Sequence, residues 1–250
     1  MPAPSLSLAL VVAATFFVAG VVKGVTGMGL PTVAMGALGA LLSPLVAANL
    51  LIVPAFVTNV WQLFAGPGFL PLIRRLWPML ASIVAGTWAG ASLLTGGNPR
   101  LTTAALGATL AVYALYALVA RPLSLPARLE PWLGPLVGAA TGMVTGATGV
   151  FVIPAVPYLQ SLGFDKEDLV QALGLSFTVS TVALAAGLAA HGAFRLDNLA
   201  PSSLALVPAL LGMAAGQVVR RRVSPTTFRR WFLIGLVILG AEMLLRPLLG

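Results

Sequence analysis

From residue 4 to residue 69 the chain carries a single charged side chain, Lys23. A helix rises about 1.5 Å per residue, so this stretch would extend roughly 100 Å, or about three crossings of a 30 Å hydrocarbon core. Soluble domains are typically about 25% charged, whereas this 250-residue chain is 8% charged and 59% hydrophobic. The sequence therefore predicts an all-α integral membrane protein whose surroundings are the lipid bilayer.

Later apolar segments are separated by short polar gaps. Two of them follow an N-cap residue and a proline, Asn98-Pro99 and Ser224-Pro225, which is the sequence expected at a helix start. The later segments span residues 76–94, 101–120, 132–162, 169–190, 199–219 and 228–245.

Two parts of the chain resemble each other. Gly86 and Gly90 recur as Gly212 and Gly216, 126 positions later, and the two Pro-containing helix starts are separated by the same distance. The other matches are Val25-Thr26-Gly27 with Val144-Thr145-Gly146, 119 positions apart, and Pro31 with Pro154. Matches in the same order predict a duplication, with a first transmembrane repeat at residues 1–122, a linker at 123–130 and a second repeat at 131–250.

The basic residues discriminate between two topologies. If each Gly-rich region crosses the membrane once, the chain has eight spans in a 4+4 parallel repeat, and the basic residues other than Lys23 divide six to seven. If each region separates two short or re-entrant elements, ten fall on one side and three on the other, the cytoplasmic bias expected of short loops. We therefore favour two related halves in an inverted repeat of about five membrane elements each, with the eight-span arrangement as the alternative.

Each half contains a glycine-rich motif. The first is Gly20-x-x-Lys23-Gly24-x-Thr26-Gly27-x-Gly29-x-Pro31, and the second is Gly138-x-x-x-Gly142-x-x-Thr145-Gly146-x-Thr148-Gly149. In a bilayer, interrupted helical backbone is tolerated where it is buried in protein or lines a water-filled cavity. Inverted-repeat carriers direct the helix N-termini at such breaks toward an anionic substrate. The alternative interpretation is that the glycines only allow helices to pack closely.

The sequence resembles the TauE/SafE family of sulfite exporter-like membrane permeases. The resemblance rests on the two Gly-rich stretches, each followed by proline, and on the small and polar segments at residues 47–62 and 171–181. It covers essentially the whole chain, although Leu30 stands where the family often has another glycine and Ala147 interrupts the second motif. The resemblance implies transport of sulfite, sulfonates or similar small anions, usually outward.

Polar side chains in and beside the motifs are the candidate substrate ligands. Neutral donors can replace the hydration of a sulfite or sulfonate without holding it too tightly for release. Their alternative role is hydrogen bonding between helices, worth about 0.6 kcal/mol on average. The predicted substrate-binding residues are Lys23, Gly24, Thr26, Gly27, Gly29, Asn59, Gln62, Thr145, Gly146, Thr148, Gly149, Ser176 and Ser180.

Lys23 has two interpretations. A charge inside a membrane segment indicates function, either by attracting an anion or by changing its protonation during transport. A lysine at the end of a short helix can also extend its ammonium to the membrane interface.

These features predict a secondary transporter that moves a small anion, such as sulfite, a sulfonate or a related organosulfur or organic anion, across the cytoplasmic (inner) membrane. We expect export by alternating access around the Gly-rich breaks. Protons are a candidate coupling ion, and a homodimer is a candidate assembly. The alternatives are an anion channel and a membrane scaffold or accessory subunit without transport activity.

The sequence lacks the residues and motifs that other functional classes require. The chain has no cysteine, one histidine, no His-Glu-x-x-His zinc motif and no P-loop, so we predict no enzymatic activity, no cofactor or metal, and no direct use of ATP by this chain. The basic residues lie in short gaps rather than in one cluster, which argues against nucleic acid as a partner.

Overall fold

A computed structural model describes residues 6–66, 68–120, 124–194 and 199–249. Within these ranges the chain forms ten α-helices and one 3-10 turn, Ala127–Leu129. The helices are α1 (Leu6–Thr26), α2 (Leu30–Leu41), α3 (Pro44–Leu63), α4 (Phe69–Gly96), α5 (Pro99–Val119), α6 (Glu130–Thr148), α7 (Ala155–Ser161), α8 (Lys166–Ala190), α9 (Leu199–Arg220) and α10 (Pro225–Leu249). Six of them, α1, α3, α4, α5, α8 and α9, are long and apolar enough to cross a membrane. The predicted all-α membrane fold is confirmed.

Local capping determines where several helices begin. The Ser43 hydroxyl accepts a hydrogen bond from the backbone N–H three residues later at the start of α3, and the Asp165 carboxylate does the same at the start of α8. Helices α5 and α10 begin at Pro99 and Pro225, where the sequence predicted them. Proline suits this position because a helix start leaves its first N–H groups unpaired.

Helices α1 and α9 are held together at glycines. A β-carbon at Gly20 of α1 would lie 2.2 Å from the carbonyl oxygen of Ala209, and one at Gly212 of α9 would lie 2.0 Å from that of Phe17. Such distances leave no room for a side chain, so only glycine lets the two backbones approach this closely.

Helices α4 and α6 are paired in the same way. A β-carbon at Gly142 of α6 would lie 2.2 Å from the carbonyl oxygen of Ile83, and one at Gly86 of α4 would lie 2.3 Å from that of Ala139. Each of these residues is the counterpart of one in the α1–α9 pair, 122 positions from α1 to α6 and 126 positions from α4 to α9. The first helix of each half therefore packs against the fourth helix of the other half.

The helix ends give the same register. Helix α1 ends at Thr26 and α6 at Thr148, and each is followed by a glycine with positive φ, Gly27 at 79° and Gly149 at 71°. Thr26 is thus equivalent to Thr148, 122 positions away, and the 119-position match of the Val-Thr-Gly triplets is wrong as a structural alignment. The reason is physical, since the residue after a helix end needs the left-handed conformation and the residues within the helix do not.

Contacts at the two ends of the bundle show which way the helices run. At one end, which we call the basic end, Arg75 near the start of α4 pairs with Glu130 at the start of α6, with Nε to Oε1 at 2.7 Å. At the opposite end, Ser202 near the start of α9 donates to the carbonyl of Leu50 near the start of α3, at 2.8 Å. Gly20 of α1 lies beside Ala209 of α9 and Gly24 lies beside Met213, so the two helices run parallel. Helix α1 therefore runs toward the basic end and α6 runs away from it, which is compatible with an inverted repeat.

The basic residues are distributed unevenly between these ends. Nine of those described lie at the basic end and two at the opposite end, in agreement with the five-element topology. Those at the basic end are Arg74, Arg75, Arg128, Lys166, Arg220, Arg221, Arg222, Arg229 and Arg230, and those at the opposite end are Arg100 and Arg246. Arg121 and Arg195, which entered the sequence count, lie outside the described residues. The proposed repeat boundaries stay a prediction.

Replacing Gly142 with alanine should lower the melting temperature of the protein in detergent, because the added methyl would force α4 and α6 apart. Overpacking of this kind typically costs about 1–3 kcal/mol. Gly20→Ala should have a similar effect, since its environment is equivalent. Gly235→Ala is the matched control, because a β-carbon there meets nothing within 4 Å, and its effect should stay within about 0.5 kcal/mol. Equal melting of all three variants would contradict the glycine pairing.

Candidate functional site

Both Gly-rich regions contain the predicted helix break. Helix α1 is interrupted before α2, and α6 is interrupted before α7. The hydroxyls of Thr26 and Thr148 shape the two breaks alike. Each donates to the carbonyl four residues earlier, at 2.8 and 2.7 Å, and each accepts from the N–H two residues later, at 3.3 Å. Both threonines are thus bonded to the backbone that surrounds them.

The predicted glycines fall into two groups. Gly24 and Gly146 lie inside helices, where an added β-carbon would be 2.4 Å from the carbonyl oxygen of Met213 and 2.3 Å from that of Thr87. These two glycines serve close helix packing, the alternative that the sequence analysis left open. The glycines within the breaks have positive φ, and they are Gly27, Gly29 and Gly149.

Lys23 is the centre of a buried polar cluster. It lies on the last turn of α1 and is 5% exposed. Its ammonium donates to Thr58 Oγ1 at 3.1 Å and to Asn59 Oδ1, both on α3. The Nδ2 atom of Asn59 lies 3.4 Å from Thr181 Oγ1 on α8. A continuous chain of hydrogen bonds therefore joins α1, α3 and α8.

This cluster lies between hydrogen bonds that close the two ends of the bundle. At the opposite end, Asn49 of α3 donates to the carbonyl of Ala193 at 3.2 Å, and at the basic end Gln171 of α8 donates to the carbonyl of Leu63 at 2.7 Å. Asn59 and Thr181 each follow their own clamp by ten residues, or about 15 Å of helix. The contact is therefore about 15 Å along α3 from the Asn49 clamp and about 15 Å along α8 from Gln171, while Asn59 precedes Leu63, whose carbonyl accepts from Gln171, by four residues.

The partners of the Lys23 ammonium are neutral oxygen atoms. The carboxylates in the described ranges are engaged or placed elsewhere. Glu130 pairs with Arg75, Glu242 lies 3.5 Å from Arg246, and the acidic residues at 165–168 surround the start of α8. A buried charge without an opposite charge is costly. The surroundings of Lys23 would accordingly gain from a negatively charged ligand.

The second half contributes buried hydroxyls on facing helices. Ser176 and Ser180 are fully buried one helical turn apart on α8, and neither hydroxyl has a hydrogen-bond partner among the described residues. Thr145 of α6 is also buried, and its hydroxyl donates to the carbonyl of Thr141 at 2.7 Å. Ser180 directly precedes Thr181, the member of the Lys23 cluster on α8.

Gln62 follows Asn59 by three residues on α3 and hydrogen-bonds to α8 rather than to this cluster. Its Nε2 atom donates to the carbonyl of Val170 at 3.1 Å, close to the basic end, so it joins α3 to α8 beside the Gln171 clamp. Thr58 and Thr181 belong to the cluster but were not in the predicted set. The equivalence of positions 122 apart, which pairs Thr58 with Ser180 and Asn59 with Thr181, is the signal that would have pointed to them.

The surface between the two ends is strongly apolar. Trp61 is 69% exposed, Leu101 69% and Leu204 73%, and in water such side chains would form large apolar patches. Apolar helices long enough to span a bilayer, a buried charge and two interrupted helices together define a multi-pass membrane protein with discontinuous helices.

The family model described as Sulfite exporter TauE/SafE matches residues 12–243. The chain therefore belongs to the TauE/SafE sulfite exporter family, whose members are membrane transporters. No curated protein and no solved structure matches the chain.

Replacing Lys23 with methionine should leave the melting temperature in detergent unchanged or raised, because methionine fills similar space without a buried charge. Exchanging buried ionic groups for apolar ones of similar volume is often neutral or stabilising by about 1–4 kcal/mol. Lys166→Met, at the exposed start of α8, is the matched control. A fall in melting temperature that is confined to Lys23→Met would show that the ammonium contributes to stability, which is the opposite of what we expect.

Proposed function

We propose that this protein is a secondary transporter that moves sulfite, a sulfonate or a related small organosulfur anion across the cytoplasmic membrane. The observation that carries the proposal is the Lys23 ammonium, which is buried between helices and bonded to neutral oxygens. An anion that reached it would supply the missing opposite charge. Membership of the TauE/SafE family supports the organosulfur class of substrate.

The moving parts are two mixed groups of helices rather than the two halves of the sequence. Close glycine contacts fix α1 to α9 and α4 to α6, and α3 packs on α9 as α8 packs on α4. We define unit one as α1, α3 and α9, and unit two as α4, α6 and α8. They meet where α3 packs on α8, beside the Lys23 cluster. Rocking of one unit on the other would open this contact to alternate sides, with the anion between them.

Hydrogen bonds close the α3–α8 contact at both ends of the bundle. At the basic end, Gln62 and Gln171 bond to backbone carbonyls of the facing segment, and at the opposite end Asn49 does so. In the proposed cycle these clamps break and re-form in turn. We propose that the basic end faces the cytoplasm, following the bias of basic residues. We further propose export as the direction and protons as the coupling ion.

The experiment is counterflow in proteoliposomes that contain the purified protein. Vesicles preloaded with unlabelled sulfite or methanesulfonate should accumulate the labelled anion, and Lys23→Met should reduce the initial rate by about tenfold or more, because hydrogen bonds to charged groups are worth about 1.5–3 kcal/mol. Lys166→Met is the matched control and should transport normally.

Three outcomes of this experiment would contradict the proposal. Flux that does not saturate and shows no counterflow would indicate a channel. A protein that moves none of these anions would fit a scaffold. An unchanged rate in Lys23→Met would remove Lys23 from the site.

A further inference from the structure

The two units of the bundle differ in chemistry at matching positions. Lys23 of α1 is equivalent to Thr145 of α6, 122 positions away, by the register of the helix ends and of the glycine contacts. The N-caps Ser43 and Asp165 give α3 and α8 the same register. Ser180 is therefore the counterpart of Thr58 on α3.

The first of these environments is complete without a ligand. The Lys23 ammonium extends from α1 to α3 and donates to the Thr58 hydroxyl, and Thr58 in turn donates to the carbonyl of Pro54 at 2.7 Å. Each polar atom in this sequence of contacts has a protein partner. The charge is the feature that the first environment leaves unbalanced.

In the part of the chain that the structure describes, the second environment has no charged residue, but it has buried hydroxyls without partners. Thr145 is much shorter than lysine, and its hydroxyl bonds back to its own helix at Thr141. Ser180, at the place equivalent to Thr58, has no hydrogen-bond partner among the described residues, and neither does Ser176, which stands where the first half has Pro54. Both side chains are 0% exposed. Buried hydroxyls usually find partners, so this pair is available to a ligand.

The two environments adjoin the contact between α3 and α8. Asn59 and Thr181 are equivalent to each other, and the contact between Asn59 Nδ2 and Thr181 Oγ1 joins α3 to α8 at 3.4 Å. Asn59 also accepts from Lys23, and Thr181 directly follows Ser180. Lys23 thus bonds to this contact from unit one, and in unit two the unpartnered hydroxyl of Ser180 belongs to the residue that precedes Thr181 on α8.

We propose that the site is divided by function, with Lys23 of unit one neutralising the anion and the Ser176 and Ser180 hydroxyls of unit two binding its oxygens. This inference rests on the proposed anion transport and assigns the selectivity of that site. One ammonium and two hydroxyls supply donors to three oxygens, the number that a sulfite or a sulfonate presents. A halide has one acceptor atom and a carboxylate has two, so neither gives each of the three donors an oxygen atom of its own.

The division of the site has a consequence that its symmetry makes testable. Position 145 of unit two corresponds to position 23 of unit one. An ammonium placed at position 145 would therefore approach the contact between Asn59 and Thr181 from unit two. The double variant Lys23→Thr with Thr145→Lys exchanges the two residues and keeps the composition of the chain. It should recover anion binding that Lys23→Thr alone loses.

The primary test is anion binding to the purified full chain, measured with sulfite, methanesulfonate, formate and chloride. Ser176→Ala and Ser180→Ala should each raise the Kd for methanesulfonate about tenfold, with a smaller change for formate and chloride. Ser92→Ala is the matched control, because Ser92 is exposed on α4 and bonds within its own helix. Melting temperatures confirm that each variant is folded.

The outcomes separate this inference from the proposed function. If the wild-type protein binds none of these anions, the proposed function fails. If it binds them and the two serine variants bind them equally well, only the division of the site is overturned. Suppose that anion binding by the wild-type protein depends on sodium and that the serine variants lose this dependence while keeping their anion affinity. The hydroxyls would then hold a cation, and the division of the site would be overturned too. If the residue exchange does not fold, the serine variants decide alone.

Discussion

Backbone approaches backbone where α1 meets α9 and where α4 meets α6, and the rest of the architecture depends on that approach. Lipid tails are as apolar as leucine, so burial of apolar surface does little to join helices within a membrane, and packing must do more. Gly20 and Gly212 on one side, with Gly142 and Gly86 on the other, provide surfaces without side chains. The pairing exchanges the first helices between the halves. It builds two mixed units and leaves α3 and α8 to face each other between them.

That exchange explains why the polar residues of α3 and α8 fall into two groups, one at the ends of the bundle and one between them. Asn49 and Gln171 occupy equivalent positions and bond to the loop carbonyls of Ala193 and Gly66 at opposite ends of the bundle. Polar groups at these depths must find partners in the protein because the hydrocarbon core provides none. Lys23, Asn59 and Thr181 lie between the clamps, and there the side chains bond to one another. The one charge among them is balanced by no carboxylate within the described ranges, so the cluster is not a structural ion pair.

Sequence reasoning reached the membrane class and the two helix breaks because each leaves a local trace. Apolar length predicts spans, Asn98-Pro99 and Ser224-Pro225 mark helix starts, and clustered glycine marks broken helix. It aligned the two motifs three residues off, because the identical Val-Thr-Gly letters are 119 positions apart whereas the equivalent helix ends are 122 positions apart. The error hid the equivalence of Lys23 and Thr145. It also placed Gly24 and Gly146 among the substrate ligands, although their surfaces are covered by another helix.

Composition and charge pattern by themselves determined that the chain enters a bilayer, that its helices are interrupted at the glycines, and that its basic residues gather at one end. These properties depend on neighbouring residues and on transfer from water to lipid, so they can be inferred without contacts. Which helices pair, and which polar side chains meet, was decided only by the tertiary structure. Lys23 and Asn59 are 36 residues apart and Asn59 and Thr181 are 122 apart, and no local pattern encodes a contact made by helices that exchange between the two halves.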